Sequence, residues 1–323
     1  MNESGHTAQT AEASKNWGII YCPIRDVRQN WNEIRQYLEE KGVKYDFVQS
    51  EDAMSVERLA AMFTRNGYRT IVVIGSDTSL NYALNGIMKT PSPDGKIPAL
   101  GTIPYGFVND FAKFWGFDTK DYKSTIDRLV LRKTRKVDVG VAVGTLEGQD
   151  AHPESKNLDP TQYFLNCLNI GVVASIAQIK RKTKRFLFLS LLSYLTSAII
   201  LLFQRMNFKI AFSTGGEHFC QRVMTICVGS ARGYGQTPSA VPYNGQLDVS
   251  QVSPPQLTQL FHGMWLLFSG RFLSHSGIKV WRTKQIEFQE LGHAPISLDS
   301  RVMPRNVSHL KVTIMEEAIE FMI

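Results

Sequence analysis

Residues 70–86 read TIVVIGSDTSLNYALNG. The first five are apolar and β-branched, the composition of a strand buried on both faces. From Leu80 onward the apolar positions Leu80, Ala83, Leu84 and Ile87 fall at helical spacing. Between them lies a short polar turn, Gly75 to Ser79. A strand, a tight turn and a helix start place backbone amides and the positive end of a helix dipole at one point, where a phosphate is held well. Such turns are usually richer in glycine. Ser76 and Thr78 stand where a glycine-rich turn would place glycines that permit positive φ, at a cost of about 1 kcal/mol for a serine so held.

Working outward, strands and helices alternate. Trp17 to Cys22 reads as a strand, Val27 to Gly42 as a helix closed by glycine, and Tyr45 to Gln49 as a strand. Ser55 to Asn66 reads as a helix, Leu80 to Met88 as another, and Pro98 to Ile103 as a strand. The alternation predicts a parallel α/β domain over residues 17–140. Gly144 to Thr161 is polar and reads as a surface loop. The rest is a series of short β-type runs, among them YFLNCLNIG, RVMTICVGS and GQLDVSQV. They predict a β-rich second domain over 141–323, a sandwich or barrel. Residues 1–16 are polar, lack an apolar stretch and read as a disordered tail. A chain of 323 residues with 43% hydrophobic residues and 18 Phe can fill two cores.

The charge balance, 36 Lys+Arg against 29 Asp+Glu, is +7. It suits an anionic partner: nucleotide, nucleic acid or membrane. The four cysteines form no CxxC pair and the seven His show no metal-ligand spacing. Cys167, Cys220 and Cys227 read as reduced core residues of a cytoplasmic protein. One stretch interrupts the β pattern at about 180–206. Five basic residues from Lys180 to Arg185 precede an apolar run from Phe186 to Phe203. A helix of that length spans roughly 27 Å, the lower limit for crossing a bilayer. Ser190, Ser193 and Ser197 share one helical face, which favours an interfacial or buried helix over a spanning one.

Five blocks, taken in order, resemble the diacylglycerol kinase catalytic-domain family, the bacterial lipid kinases related to sphingosine kinases. They are GSDTSLNYALNG, PYGFVNDFAKFWG, RKTRKVDVG, PSAVPYNGQLDV and ISLDSR. The resemblance runs from about Gly18 to the end of the sequence. It implies an N-terminal α/β nucleotide-binding domain, phosphofructokinase- and NAD-kinase-like, then a β-sandwich domain. It also allows a C-terminal strand that returns to the first domain. The implied activity is transfer of phosphate from ATP, with Mg²⁺, to a lipid hydroxyl: diacylglycerol, a sphingoid base or a related amphiphile. Carried over position by position, nucleotide contacts fall on Gly75, Ser76, Asp77, Thr78, Ser79, Gly106 and Asn109. Asp77, Asp110 and Asp138 match positions linked through water to Mg²⁺, and Asp299 matches the proposed general base.

Departures from the family pattern are concentrated in the glycines. Ser76 and Thr78 replace two of them, Ser79 a threonine, and Phe107 another threonine. YCPIRD stands where the family has Asn-Pro-x-x-Gly. Tyr243 and Asn244 replace two Asp that hold a structural Mg²⁺ in some members, and Ser300-Arg301 replaces a closing Gly-Glu. Phe107 could stack on adenine or block its pocket. Arg301 could hold a γ-phosphate, neutralise Asp299 or be a surface residue. The alternative to a kinase is therefore a catalytically silent relative that binds lipid or a partner protein. An NAD kinase shares only the central turn, and nucleic-acid binding accounts only for Lys180 to Arg185. The implied partners are a lipid substrate and an anionic membrane surface, held peripherally at its inner face. A homodimer stays open, and no nucleic acid is implied.

Overall fold

The structure, a computed structural model, describes residues 16–22, 28–105, 109–146, 161–175, 207–232, 237–254, 277–303 and 307–323. The chain divides into two compact units. The first comprises residues up to Val139 together with Glu316–Ile323, and the second Gly140–Met315. The tail at 1–15, Gly106, Phe107, and the basic run and apolar stretch at 180–206 lie outside the described residues.

In the first unit, strands β1 (Trp17–Tyr21), β2 (Tyr45–Gln49), β3 (Thr70–Gly75) and β4 (Ala99–Pro104) pair in parallel in the order β2-β1-β3-β4. β1, β3 and β4 are buried almost throughout, as unbroken apolar runs must be when helices cover both faces of a sheet. The helices are α1 (Arg28–Glu40), α2 (Ser55–Arg65), α3 (Asp77–Met88), α4 (Asp110–Phe114) and α5 (Tyr122–Val130). α3 is enclosed on nearly every side, and Leu80, Leu84 and Ile87 are at most 2% exposed. Each of those side chains contributes about 1.5–3 kcal/mol through burial. Gly86 sets how closely α2 approaches: a Cβ there would stand 2.2 Å from the Glu57 carbonyl oxygen. Strand β16 (Val307–Met322) ends in this unit. Phe321 pairs with Leu100 in parallel and sets its ring edge-on to Phe111, centroids 4.8 Å apart.

The second unit is a β-sandwich. One sheet is antiparallel and uses β7 (Cys167–Gly171), β10 (Thr225–Gly229), β11 (Leu247–Val252), β12 (Ile278–Thr283), β14 (Ile296–Leu298) and β15 (Arg301–Val302), in the order β12-β11-β10-β7-β14-β15. The other layer includes β8 (Phe208–Thr214), β9 (Glu217–Val223) and β13 (Gln285–Glu290) with the earlier part of β16, while β5 (Thr134–Leu146) pairs with β6 (Thr161–Phe164). Leu168, Ile170, Ile226, Val228, Leu247 and Val249 alternate along their strands into a core shared with Phe212, Ile286 and Phe288. The intervening positions of the antiparallel sheet are polar yet also buried: Asn169, Cys227, Ser250 and Ser297 are at most 5% exposed.

Three expectations need correction. Helix α3 begins at Asp77, three residues before the first apolar position, because polar side chains in a first helical turn carry no hydrophobic signal. Cys220 is exposed rather than buried, on the outward face of β9, while Cys167 and Cys227 are in the interior. The polar loop expected from Gly144 starts later, since β5 runs on to Leu146.

Candidate functional site

The strand order decides where a ligand can sit on the first unit. β1 lies between β2 and β3, so the connections from β1 and β2 leave in opposite directions and a crevice opens at the carboxyl ends of β1 and β3. Gly75 is the last residue of β3 and lies at that point. Ser76 follows as the N-cap of α3, with φ −93° and ψ 173°, and Asp77, Thr78 and Ser79 form the first helical turn. The first helical hydrogen bond runs from Leu80 N–H to the Ser76 carbonyl, 2.9 Å.

This geometry overturns the expectation of backbone strain. Ser76 is extended and Thr78 is helical; neither is among the residues with positive φ. The glycines missing at 76 and 78 therefore leave no conformational debt. Glycine is required only at 75, where a Cβ would stand 2.9 Å from both Cβ and Oγ of Ser79. Ser76 and Thr78 are half-buried, whereas Asp77 and Ser79 are buried, 4% and 3% exposed. The two substituted positions thus border the crevice, and the two inner ones hold it together.

The acidic residues are engaged with backbone amides from distant segments. Asp77 Oδ2 accepts the N–H of Asp110 at 2.7 Å, which ties the start of α3 to the start of α4. Asn109, the N-cap of α4, is 1% exposed beside it. Asp110 itself faces Lys113 Nζ at 3.8 Å. Asp138 is 1% exposed, and its Oδ1 accepts the N–H of Glu317 at 2.9 Å, at a residue with φ +47°. That bond secures a left-handed kink in β16. Among the described residues, no three His, Cys, Asp or Glu side chains gather as a metal-ligand set. Asp77 Oδ2 and Asp138 Oδ1 each accept a backbone amide.

Asp299 belongs to the second unit and is 5% exposed. Its Oδ1 accepts the N–H groups of Asn166 and Cys167, both at 2.9 Å, and its Oδ2 accepts that of Leu165 at 2.7 Å. Its own N–H donates to the Cys167 carbonyl at 3.0 Å. Three N–H donors hold the carboxylate against the 165–167 segment. Asp299 and Ser300 have φ +44° and +69°, so the turn that presents the carboxylate is left-handed without a glycine. Next to it, burial pushes the Cys167 thiol well above its usual range, and the sulfur lies 3.4 Å from Asn169 Oδ1.

None of these amide partnerships is legible in the sequence, because each joins segments tens of residues or more apart. The one pair with a local signal is Asp248 with Arg282. Period-two alternation in GQLDVSQV sets Asp248 and Ser250 on the face opposite Leu247 and Val249. Register then brings Arg282 opposite Asp248.

Two family models match the chain: the diacylglycerol kinase catalytic domain over residues 24–142, and the YegS C-terminal NAD kinase beta sandwich-like domain over 167–315. The diacylglycerol kinase of Staphylococcus carnosus is 22% identical over 303 residues, which cover 91% of this chain and 92% of that relative. The diacylglycerol kinase of Bacillus subtilis is 20% identical over 289 residues, covering 87% and 88%. A crystal structure of a diacylglycerol kinase from Bacillus anthracis has the same fold, with a TM-score of 0.64 at 15% identity over 95% of this chain and 96% of that one.

Proposed function

The chain belongs to the diacylglycerol kinase catalytic-domain family, and from that premise we propose that it transfers the terminal phosphoryl group of ATP to the hydroxyl of a lipid. In this reaction the acceptor oxygen bonds to the γ-phosphorus, the bond to the bridging oxygen breaks, ADP leaves, and the hydroxyl proton passes to a base. Little covalent chemistry is asked of the protein; positioning and charge carry the rate.

The observation that carries the reading is the junction of β3 and α3. It lies at the switch point of a parallel sheet, points a helix start at the crevice, and keeps the one glycine its packing demands. Phosphate oxygens would meet the amides of the first turn of α3 and the side chains of Ser76 and Thr78, with Asn109 steadying the neighbouring start of α4. The hydroxyls offer donors where the family has bare backbone. Mg²⁺ would enter in this reading as the counter-ion of the nucleotide, held through water by Asp77, Asp110 and Asp138. Asp299 is the acceptor-side base of the proposal, acting through Oδ2, the oxygen that takes a single amide from the 165–167 segment.

The engagement of Asp299 favours a second reading, the silent relative that binds lipid without turnover. One experiment separates the two. The purified protein is incubated with γ-labelled ATP, Mg²⁺ and a total lipid extract, and the lipids are resolved. A labelled lipid supports the kinase. No label, combined with no thermal stabilisation by millimolar ATP, supports the silent relative. Ligand binding only to the native state stabilises by RT ln(1 + [L]/Kd), about 2.7 kcal/mol at a hundredfold excess, so even a weak site registers.

The proposal also places the chain peripherally on an anionic membrane at its cytoplasmic face, through Lys180 to Phe203. Among the described residues no helix is long and apolar enough to cross a membrane. Release by salt, which screens exposed basic residues, is the expected result; release by detergent alone would refute peripheral attachment.

A further inference from the structure

Strand β9 ends its sheet, with β8 on one side and no strand on the other among the described residues. It reads EHFCQRV, and all of it pairs with β8 in unbroken register, from Glu217 opposite Thr214 to Val223 opposite Phe208. Folded chains usually blunt such an edge with proline, lysine, a bulge or an inward-pointing charge. β9 has no proline, no lysine and no bulge, and Phe219, Gln221 and Val223 on its inward face are uncharged.

The turn before β9 fixes which backbone groups reach the free edge. Gly215 and Gly216 have φ +59° and +85°, the paired positive values of a two-residue hairpin loop. Such a loop is closed by a hydrogen-bonded pair, here Thr214 and Glu217. Alternation from that pair turns the N–H and C=O groups of Glu217, Phe219, Gln221 and Val223 toward β8. Those of His218, Cys220 and Arg222 point away from the sheet, and all three residues are exposed. These outward positions are symmetric about Cys220. When two copies of β9 lie antiparallel across a two-fold axis at Cys220, every outward group finds a partner. Cys220 exchanges both N–H···O bonds with Cys220 of the second copy, and His218 does the same with Arg222. The charges agree with that direction. Glu217 and Arg222 stand toward opposite ends of the strand, so the acidic end of one copy meets the basic end of the other. β12, which ends the other sheet, offers no such match, since its charges are Lys279 and Arg282, both positive. The seven residues of β9 fall short of the roughly 20–30 per side of a standard interface, so the pairing is reversible. We infer that β9 is a self-association edge, through which two copies of this chain pair antiparallel about Cys220.

The test follows the full, reduced chain by sedimentation velocity over a range of protein concentrations, with a short bis-maleimide as reporter. A monomer–dimer equilibrium is expected. Cα atoms of a hydrogen-bonded antiparallel pair stand about 5.5 Å apart, so the reagent should join Cys220 of one copy to Cys220 of the other. Peptide mass spectrometry identifies the link, and Cys22, Cys167 and Cys227 are buried. Cys220→Ser should abolish the link and keep the dimer. His218→Pro removes an N–H that faces the free edge and not β8, and should weaken association about tenfold or more with the melting temperature unchanged. Cys220→Lys sets like charges opposite one another at an exposed position and should weaken it similarly, so it decides if His218→Pro fails to fold. A chain that stays monomeric up to its highest soluble concentration overturns the inference. So does a dimer that Cys220 does not link, one that survives both His218→Pro and Cys220→Lys, or growth beyond the dimer, since two-fold pairing uses up the edge. Label transfer to lipid is independent of every one of these outcomes, and its failure leaves the β9 pairing standing.

Discussion

Replacing Asp299 with asparagine isolates the work done by its carboxylate. The amide oxygen can still accept from Asn166 and Cys167 N–H, now without charge assistance. Its NH₂ group is forced to face the Leu165 N–H, which the carboxylate accepted at 2.7 Å. A buried donor left facing a donor costs about 1–3 kcal/mol, and changing two charged bonds to neutral ones costs about 1 kcal/mol more in total. The sum is roughly 2–4 kcal/mol. With a urea m-value on the order of 1–3 kcal/mol/M, the transition of the second unit should move by about 1 M or more. Amide exchange at Leu165, Asn166 and Cys167 should accelerate at least tenfold, because the local opening that exposes them becomes easier. An unchanged midpoint with unchanged protection at those three amides would refute the clamp and return Asp299 to a purely chemical role. The distinction matters for any activity assay. If the clamp is real, lost turnover in this variant reports a loosened segment as well as a missing base.

Glycine should act oppositely at two hydroxyl residues: Ser300→Gly relieves φ +69° and should stabilise by about 0.5–1 kcal/mol, while Thr78→Gly, within a helix, should destabilise by about as much, both read by thermal melting. Ser76→Gly, at an extended N-cap without a side-chain capping bond, should change stability by only a few tenths of a kcal/mol, so any gain in ATP affinity there reports crowding by the side chain. Native protein should react with a thiol reagent at Cys220 alone among Cys22, Cys167, Cys220 and Cys227, the others requiring unfolding; rapid loss of all four thiols would contradict the burial. Tyr68 is held neutral by burial and by its 2.6 Å bond to Asp46, so its folded pKa lies well above the ordinary 10.0. The unfolded chain loses this proton first; the contribution is complete below pH 10 and fades as pH rises beyond it, and Tyr68→Phe should flatten that decline in alkaline denaturation.

How far the sequence reaches depends on the range of the physics involved. β1, β3 and β4 are legible because strands buried on both faces are apolar at every position. The junction at Gly75 is legible as a place, since a strand pattern stops and a helix pattern begins within five residues. Its conformation is not, because Asp77, Thr78 and Ser79 satisfy a first helical turn as well as they would a loop. A missing glycine signals strain only where φ is known. That is why Ser76 raised a concern the backbone dismisses, while Ser300 carries real left-handed geometry. The partners of Asp77, Asp138 and Asp299 are backbone amides, identical in every residue, so no side-chain pattern can point to them. Cys220 shows the same limit from the other side: β9 reads EHFCQRV, and as an edge strand it turns Cys220 outward.

Strand β16 also fixes an order of events. Residues 316–323 belong to the first unit, yet the whole of Gly140–Met315 is synthesised before them. A ribosome delivering the chain therefore releases β1 to α5 while Leu100, paired with Ile71, still lacks Phe321 on its other side and Phe111 lacks the ring of Phe321. The N-terminal half must wait with an unfinished β4 edge until residues 316–323 have been translated. Nascent chains arrested before residue 316 should consequently recruit holding chaperones to a domain whose own sequence was complete, apart from one strand, long before.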